Sequence, residues 1–431
     1  MFGWYGDLTP MQRRTFWACW AGWGLDAMDF QLYFFVIPTL MALWHITNVE
    51  AGFIATGTIL ASALGGWVAG VLGDRYGRAR ILLVTVTWYA VATFLCGFAQ
   101  SPLQLGILRA LVGIGFGGEW AIGAILVGEI VRASERGRAV GTVQSAYGAG
   151  WAAAALAYGA CFSVFNAEIA WRVLFWIGLL PVVPLIFLRR AVQNESTIFE
   201  RVAKQTSNKG IGWRIIAIFS GGLGVRTLLA SLLCLGIQGG FGSLVLWLPT
   251  YLKNTRGLSV VGTTGFSFVV TVGSFFGFLA GAWLVDRIGR RKNFMMWSVF
   301  CSVTAILYLL LPLDNLSLMI LGFPLGFVVS GIYGGIGAWL TELFPTRIRG
   351  TAQSFTYNVG RAFTAAVPVA IGYLSQVVPL GQAIAMFAVT CYVLVFIMAL
   401  LLPETRGLDL LEADREAVHS FTSSGQPTTA Q

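Results

Sequence analysis

Asp74-Arg75-Tyr76-Gly77-Arg78 stands between two long apolar runs, and Asp286-Arg287-Ile288-Gly289-Arg290 stands between two others far down the chain. A second echo keeps the same order, because Glu129 with Arg136-Gly137 returns as Glu342 with Arg349-Gly350. Charged strings that recur in register with their apolar flanks mark two similar halves, a build that suits a membrane interior with a site between the repeats.

Composition identifies the solvent. Hydrophobic residues make up 57% of the 431 positions and charged ones only 11%, so these side chains are matched to lipid rather than water. Crossing about 30 Å of hydrocarbon takes roughly 20 apolar residues. Runs of that kind begin near Thr15, Ala51, Ile81, Leu103, Ala139, Trp171, Leu228, Ser259, Asn293, Ser317, Thr351 and Gln382. Backbone groups in lipid must be paired internally, and the runs lack the alternation of barrel strands, so they read as helices. The expected fold is an all-α membrane protein with twelve transmembrane helices in two pseudo-symmetric six-helix halves. Residues 1–188 form the first half, 189–227 a polar cytoplasmic loop, 228–402 the second half, and 403–431 a disordered tail.

The net charge of +9 is a topology signal rather than a nucleic-acid footprint. Of the 28 Lys and Arg residues, only Lys253 and Arg256 fall in loops of the second side, while Arg109, Arg172 and Arg361 lie within or at the end of runs. The positive-inside rule then puts both termini in the cytoplasm of a multi-pass protein of a bacterial-type inner membrane. The first run carries Asp26 and Asp29 and lacks a small-residue cleavage site, so it reads as a retained helix. The six cysteines sit singly in apolar runs, with neither metal spacing nor a disulfide framework. His45 and His419 are the two histidines, one in an outer loop and one in the tail, which closes the route of a histidine proton relay. No phosphate-cradling Gly-x-x-x-x-Gly-Lys loop occurs, and no nucleophile, base and orienter stand at a recognisable spacing. The reading is therefore neither an ATPase nor an enzyme, and it calls for no cofactor and no metal.

The loop G-V-L-G-D-R-Y-G-R-A-R from Gly70 resembles the signature of the major facilitator superfamily between its second and third helices, and A-W-L-V-D-R-I-G-R-R-K from Ala282 resembles its weaker repeat, with Ala282 in place of the opening glycine. R-A-L-V-G-I-G-F-G-G-E-W from Arg109 resembles the fourth-helix motif of proton-coupled members. W-G-L-D-A-M-D-F from Trp23, G-G-E-W ending at Trp120 and W-R-V-L-F-W-I-G-L-L-P from Trp171 are together similar to the sialate:proton symporter branch. Asn194-Glu195-Ser196 stands where that branch often has Pro-Glu-Ser. The aromatic acid:proton symporter branch also carries paired first-helix aspartates, and W-L-P-T-Y-L from Trp247 is shared by several branches. The resemblance implies proton-coupled uptake of a small organic monocarboxylate by alternating access, with sialic acid or lactate leading and aromatic acids or other metabolites as the alternative. A membrane nutrient sensor is the rival from another class. The partners expected are the substrate anion, protons and the bilayer, with no nucleic acid, for a monomer.

The residues carry a physical reading of their own. Asp26 and Asp29 are three apart, which places both carboxyls on one helix face near the middle of the membrane. Each costs about 3 kcal/mol in lipid on insertion scales, so both should face the bundle interior. Burial favours the neutral form of a carboxyl and a neighbouring arginine the charged form, so a site whose partner comes and goes can bind and release a proton. Arg109 and Glu119 lie about 15 Å apart along one helix at 1.5 Å per residue, too far to pair with each other. The resemblance implies a pairing of Arg109 with Asp26 or Asp29. Asp26, Asp29, Arg109 and Glu119 are thus the proton-coupling candidates, against a fixed interhelical strut or a packing-locked polar residue.

Arg361 has no acid on its own helix, and a planar guanidinium holds a carboxylate by two parallel hydrogen bonds. The expected partner is the substrate anion; a tie to Asp29, Glu119 or backbone carbonyls is the alternative. Gln144, Tyr147, Gln238, Tyr333, Tyr357 and Asn358 are candidates for the polar lining, or for helix-to-helix contacts. Asp74, Arg75 and Arg78, with Asp286, Arg287 and Arg290, read as a gate at the inner face, assisted by the pairs Glu129/Arg136 and Glu342/Arg349.

Overall fold

The computed structural model describes residues 3–46, 48–179, 211–257 and 260–408. Twelve helices follow in order. They are α1 (Pro10–Trp44), α2 (Asn48–Tyr76), α3 (Arg78–Cys96), α4 (Pro102–Ile130), α5 (Arg136–Gln144 and Ala146–Val164), α6 (Ala167–Ile177), α7 (Gly222–Thr250), α8 (Val260–Ile288), α9 (Arg290–Leu310), α10 (Asn315–Gly331, Ile332–Gly335 and Ile336–Leu343), α11 (Arg349–Thr364 and Val367–Leu374) and α12 (Leu380–Leu401). The expected all-α, twelve-helix bundle is what the chain forms. A short helix, Ile211–Ala217, lies inside the stretch read as a loop, and α7 starts at Gly222, ahead of the expected Leu228. Most of the central loop, Asn194-Glu195-Ser196, His419 and the tail beyond 408 lie outside the described residues.

Local chemistry sets the helix starts. Thr9 and Gln12 form a reciprocal capping box before α1, with Pro10 in its first turn. Ser101, Asn166 and Asp314 cap α4, α6 and α10 through side-chain oxygens. Gly77 and Gly289, the glycines of the two repeated strings, have φ of 104° and 91°, a region where a side chain is strained, so each string turns sharply at its glycine from one helix into the next.

Among the described residues eight helices are long and apolar enough to cross a membrane; of the others, α1 carries buried acids, α5 and α11 are broken, and α6 has 11 residues. Phe53, Leu103, Leu156, Phe268 and Val377 point large apolar side chains outward, as lipid-facing positions should. The chain is a multi-pass membrane protein. The two halves meet along α2 with α11 and α5 with α8. At Gly70 the backbones approach so closely that a Cβ would run into the Gly350 carbonyl and Ser354. The breaks in α5, after Gln144, and in α10, at Ile332–Gly335, fall beside this seam, where irregular backbone is tolerated because it faces protein or a cavity.

Candidate functional site

Three groups of polar side chains lie along the bundle. At the end that carries the basic loops, Asp74 of the first half accepts hydrogen bonds from the backbone N–H of Gly350 (3.0 Å) and Thr351 (2.7 Å) and from the Thr351 hydroxyl (2.8 Å). It thereby caps the start of α11 in the second half. Asp286 does the converse, accepting from the N–H of Gly137 (3.0 Å) and Arg138 (2.8 Å) at the start of α5. A carboxylate at a helix N-terminus meets both unpaired donors and the positive end of the helix dipole. Each aspartate also has its own loop's arginine beside it, Arg78 at 3.2 Å and Arg290 at 3.1 Å.

The glutamates complete a crossed arrangement. The sequence pairs Glu129 with Arg136 and Glu342 with Arg349, but the structure exchanges the partners: Arg349 donates to Glu129 and Arg136 to Glu342, each at 2.9 Å. The reason is geometric, since Arg136 and Arg349 turn back to the carbonyls of Gly128 and Thr341 and present their outer nitrogens across the seam. Arg290 adds two bonds to Glu342, at 2.9 and 2.8 Å. Four acids (Asp74, Glu129, Asp286, Glu342) and four arginines (Arg78, Arg136, Arg290, Arg349) thus balance, all of them buried. Arg75 and Arg287 do not join this set. They are exposed, lying over the rings of Tyr76 and Trp283, because the turn at each glycine sends them outward.

The first residues of the expected tail are ordered and belong here too. Thr405 donates to Glu342 at 2.6 Å, and Glu404 accepts from the N–H of Arg290 and Arg291 at the start of α9. In the sequence Glu404 and Thr405 stand in Pro403-Glu404-Thr405-Arg406-Gly407, a proline followed by polar residues at a helix end, which assigns neither of them a partner.

Deep in the first half lies the second group. Asp29 meets Arg109 at 3.4 Å, with the Thr93 hydroxyl beside the carboxyl and the Arg109 guanidinium 5.0 Å from the centre of the Tyr33 ring. Of the two first-helix acids the arginine thus takes Asp29. One helical turn away, the carboxyls of Asp26 and Glu119 face each other with the Tyr89 hydroxyl alongside. Both are almost wholly buried. Gly22 makes room for the glutamate, because a Cβ there would strike Glu119 Oε1. Tyr33, Tyr89 and Thr93 escaped the sequence reading, because nothing separates such side chains from ordinary core residues until α1, α3 and α4 are packed together.

Between the halves lies the third group. The Arg361 guanidinium sits 5.0 Å from the centre of the Phe116 ring on α4 and 5.2 Å from that of Tyr357 on its own helix, and it reaches Ser62 Oγ at 3.4 Å. Among the described residues no carboxylate lies within ion-pair distance of it. The tie to Asp29 or Glu119 is therefore not made in this structure. Tyr357 stacks on Trp120 across the seam with centroids 3.6 Å apart, and Tyr147 and Tyr333 lie close to Tyr357 and Arg361. Gln144, Gln238 and Asn358 use their amides within the protein: Gln144 accepts from Trp120 (2.8 Å), Gln238 donates to the Tyr357 carbonyl (2.8 Å) and Asn358 to the Ser354 carbonyl (2.9 Å). These three act as ties between and along helices. The aromatic wall that they support, Phe116 and Trp120 above all, was invisible in a sequence where aromatic residues stand everywhere.

The arrangement is a half-buried cation beside aromatic rings at the seam between the two halves, with crossed ion pairs across the same seam at the basic-loop end. A family model described as the Major Facilitator Superfamily matches residues 19–283, and one described as Sugar (and other) transporter matches residues 193–417. The chain is 39% identical over its whole length, and the whole of its relative's, to a probable 4-methylmuconolactone transporter of Cupriavidus pinatubonensis. It is 27% identical to the sialic acid transporter NanX of Escherichia coli, over 90% of this chain and 93% of that one. Its fold is similar to that of the proton:xylose symporter XylE, with a TM-score of 0.79 over 94% of this chain and 98% of that one, at 16% identity. The repeated loops, the twelve helices and the full-length match to transporters agree, and the chain belongs to the Major Facilitator Superfamily as a membrane transporter rather than an enzyme.

Proposed function

We propose that this chain imports a small organic acid together with protons across a bacterial inner membrane, with both termini in the cytoplasm, and that it prefers a carboxylate carried on a flat ring. The observation that carries the reading is Arg361, a half-buried cation at the seam with no carboxylate in reach among the described residues and the rings of Phe116 and Tyr357 5.0 and 5.2 Å from its guanidinium. An anion stabilises such a cation most when its charge is delocalised in the plane of a carboxylate, and the rings of Phe116, Trp120 and Tyr357 offer flat apolar faces to the rest of the molecule. A muconolactone is compatible with that description, its carboxylate being joined through one methylene to a flat five-membered lactone ring. Sialic acid, larger and covered with hydroxyls, would need more free polar groups than Gln144, Gln238 and Asn358 leave available. The higher identity to the muconolactone relative supports the same preference.

The test is uptake of labelled 4-methylmuconolactone, cis,cis-muconate, gentisate and sialic acid into proteoliposomes with a pH gradient imposed. The ring-bearing or unsaturated acids should accumulate and lose their accumulation when an uncoupler is added. Accumulation of sialic acid alone would reverse the preference, and accumulation that ignores the uncoupler would remove proton coupling.

The crossed ion pairs act as the inner gate in this reading. They hold the site closed to the cytoplasm and must part when it opens inward. Asp74→Asn keeps the shape but gives up the charge that caps α11, which biases the two states by a few kcal/mol at most and so changes their ratio by about tenfold per 1.4 kcal/mol. Turnover should fall while binding from the outer side survives. Single-turnover binding and steady-state uptake measured on the same preparation distinguish the two, and a variant with unchanged turnover would leave Asp74 a folding residue only.

A further inference from the structure

We propose that the hydroxyls of Tyr147 and Tyr333, one from each half, form an uncharged subsite beside Arg361 that receives a neutral hydrogen-bond acceptor of the transported acid. The chain thereby selects a monocarboxylate that also carries a carbonyl, such as a lactone or ketone, over a dicarboxylate and over a plain hydrocarbon acid. The inference rests on the reading that Arg361 holds the substrate carboxylate, and it says what the rest of that molecule must present.

Both tyrosines come from places where a helix breaks. Tyr147 stands in the first turn of the second segment of α5, just past the break after Gln144, and Tyr333 stands within the Ile332–Gly335 break of α10. Irregular backbone at membrane depth is tolerated where it faces protein or a cavity. The two breaks bring their tyrosines to one place, since each lies close to Tyr357 and to Arg361. Apolar neighbours fix the rings: Trp23 lies 5.8 Å from Tyr147, and Phe241 and Phe278 lie 5.3 and 6.3 Å from Tyr333, centre to centre. Both side chains are half-buried. The Tyr251 hydroxyl donates to the Leu309 carbonyl, but among the described residues neither Tyr147 nor Tyr333 has such an acceptor in the protein; the Tyr147 hydroxyl has only the Gln31 amide of α1 beside it. A phenol whose ring is packed and whose O–H is left over stabilises an acceptor brought to it.

Charge decides what kind of acceptor this is. Arg361 is the basic side chain that faces both phenols, and Arg109, deeper in the first half, is taken by Asp29 at 3.4 Å. One guanidinium compensates one carboxylate. A second carboxylate on the same molecule would stand among the rings of Trp23, Phe241 and Phe278 without a counter-charge, and an uncompensated ion away from water is far more costly than a neutral group. A phenol can donate one hydrogen bond but brings no positive charge. The pair therefore suits a carbonyl oxygen and disfavours a second anion.

Titration of the detergent-purified full chain with three compounds tests the proposal. 4-Methylmuconolactone has one carboxylate and a lactone carbonyl; cyclopentylacetate has the same methylene-linked carboxylate on a five-membered ring but no carbonyl there; cis,cis-muconate has two carboxylates. The parent should bind the lactone about tenfold or more tightly than either of the others. Tyr147→Phe and Tyr333→Phe keep the ring and remove the hydroxyl, so each should weaken the lactone roughly threefold to tenfold and leave cyclopentylacetate unchanged. In the double variant the lactone should lose its advantage. Equal affinity of the parent for the lactone and cyclopentylacetate overturns the subsite, and so do variants that weaken both compounds alike, which would make the tyrosines packing residues. Muconate bound as tightly as the lactone overturns the selection against a second charge. Arg361→Lys tells a failure here from a failure of the underlying reading: it should weaken the lactone and cyclopentylacetate together. If it weakens neither, the carboxylate lies elsewhere, and the ratio of the two affinities in the tyrosine variants still judges the hydroxyls. Absence of binding by all three compounds overturns both.

Discussion

Replacing Glu342 by alanine is expected to destabilise the closed inner face more than any other single change in the gate. Its carboxylate receives Arg136, two nitrogens of Arg290 and the Thr405 hydroxyl, at distances between 2.6 and 2.9 Å, and its side chain is fully buried. Removing it leaves the Arg136 guanidinium without its acid and Arg290 with Asp286 alone. Breaking a buried charge network in this way costs about 3–5 kcal/mol, much of it the cost of the charges left behind. If these pairs form the proposed inner gate, that energy is lost from the inward-closed state specifically. The variant should melt at lower temperature in detergent and expose the inner face to a membrane-impermeant thiol reagent at a cysteine placed at Arg138. Combining Glu342→Ala with Arg136→Met should recover part of the loss, because the second change removes one of the orphaned charges. An unchanged melting temperature with an unchanged labelling rate would show that the network contributes shape but little energy.

Much of the architecture was legible because the two halves repeat. Asp74 and Asp286 sit at equivalent points, and a repeat of charged strings in an apolar chain admits few readings other than matching loops of a duplicated helical bundle. The crossing was not legible. That Asp74 caps the helix starting at Arg349, and that Glu129 answers Arg349 rather than Arg136, depends on the pseudo-twofold packing of the halves, which brings each loop against the other half's helix start. Nothing local to Glu129 distinguishes the two arginines. The same limit applies to Glu404 and Thr405, whose place depends on where α12 ends relative to α9.

The buried site divides similarly. Asp26, Asp29, Arg109, Glu119 and Arg361 were legible as candidates because charge inside an apolar run is costly and must be answered. How they are matched was not. Ten residues separate Arg109 and Glu119 on α4, and the three-residue step from Asp26 to Asp29 on α1 decides which acid each of them meets, a matter of helix rotation that periodicity leaves open. Gln144, Gln238 and Asn358 were open between lining and helix-to-helix contact for a different reason. An amide in a membrane helix serves equally well as a tie between helices, and in each of these three the nearer partner within the protein prevailed.

On the proposed reading the carboxylate of the transported acid rests on Arg361. A lysine keeps the charge at that position but loses the planar fork and the stacking between Phe116 and Tyr357. The loss expected from a buried charge-assisted contact is about 2 kcal/mol, or roughly thirtyfold in affinity. The fold should hardly notice, since among the described residues Arg361 is not tied to any carboxylate and its one direct side-chain bond to the other half is a long one to Ser62. Titration of detergent-purified parent, Arg361→Lys and Arg361→Ala with 4-methylmuconolactone and with cis,cis-muconate, each with a melting temperature recorded alongside, tests this most directly. A thirtyfold or greater rise in Kd is expected for Arg361→Lys, a further rise for Arg361→Ala, and melting temperatures close to the parent's without ligand. Unchanged affinity with a lowered melting temperature would contradict it, making Arg361 a strut between the halves and placing the anion elsewhere.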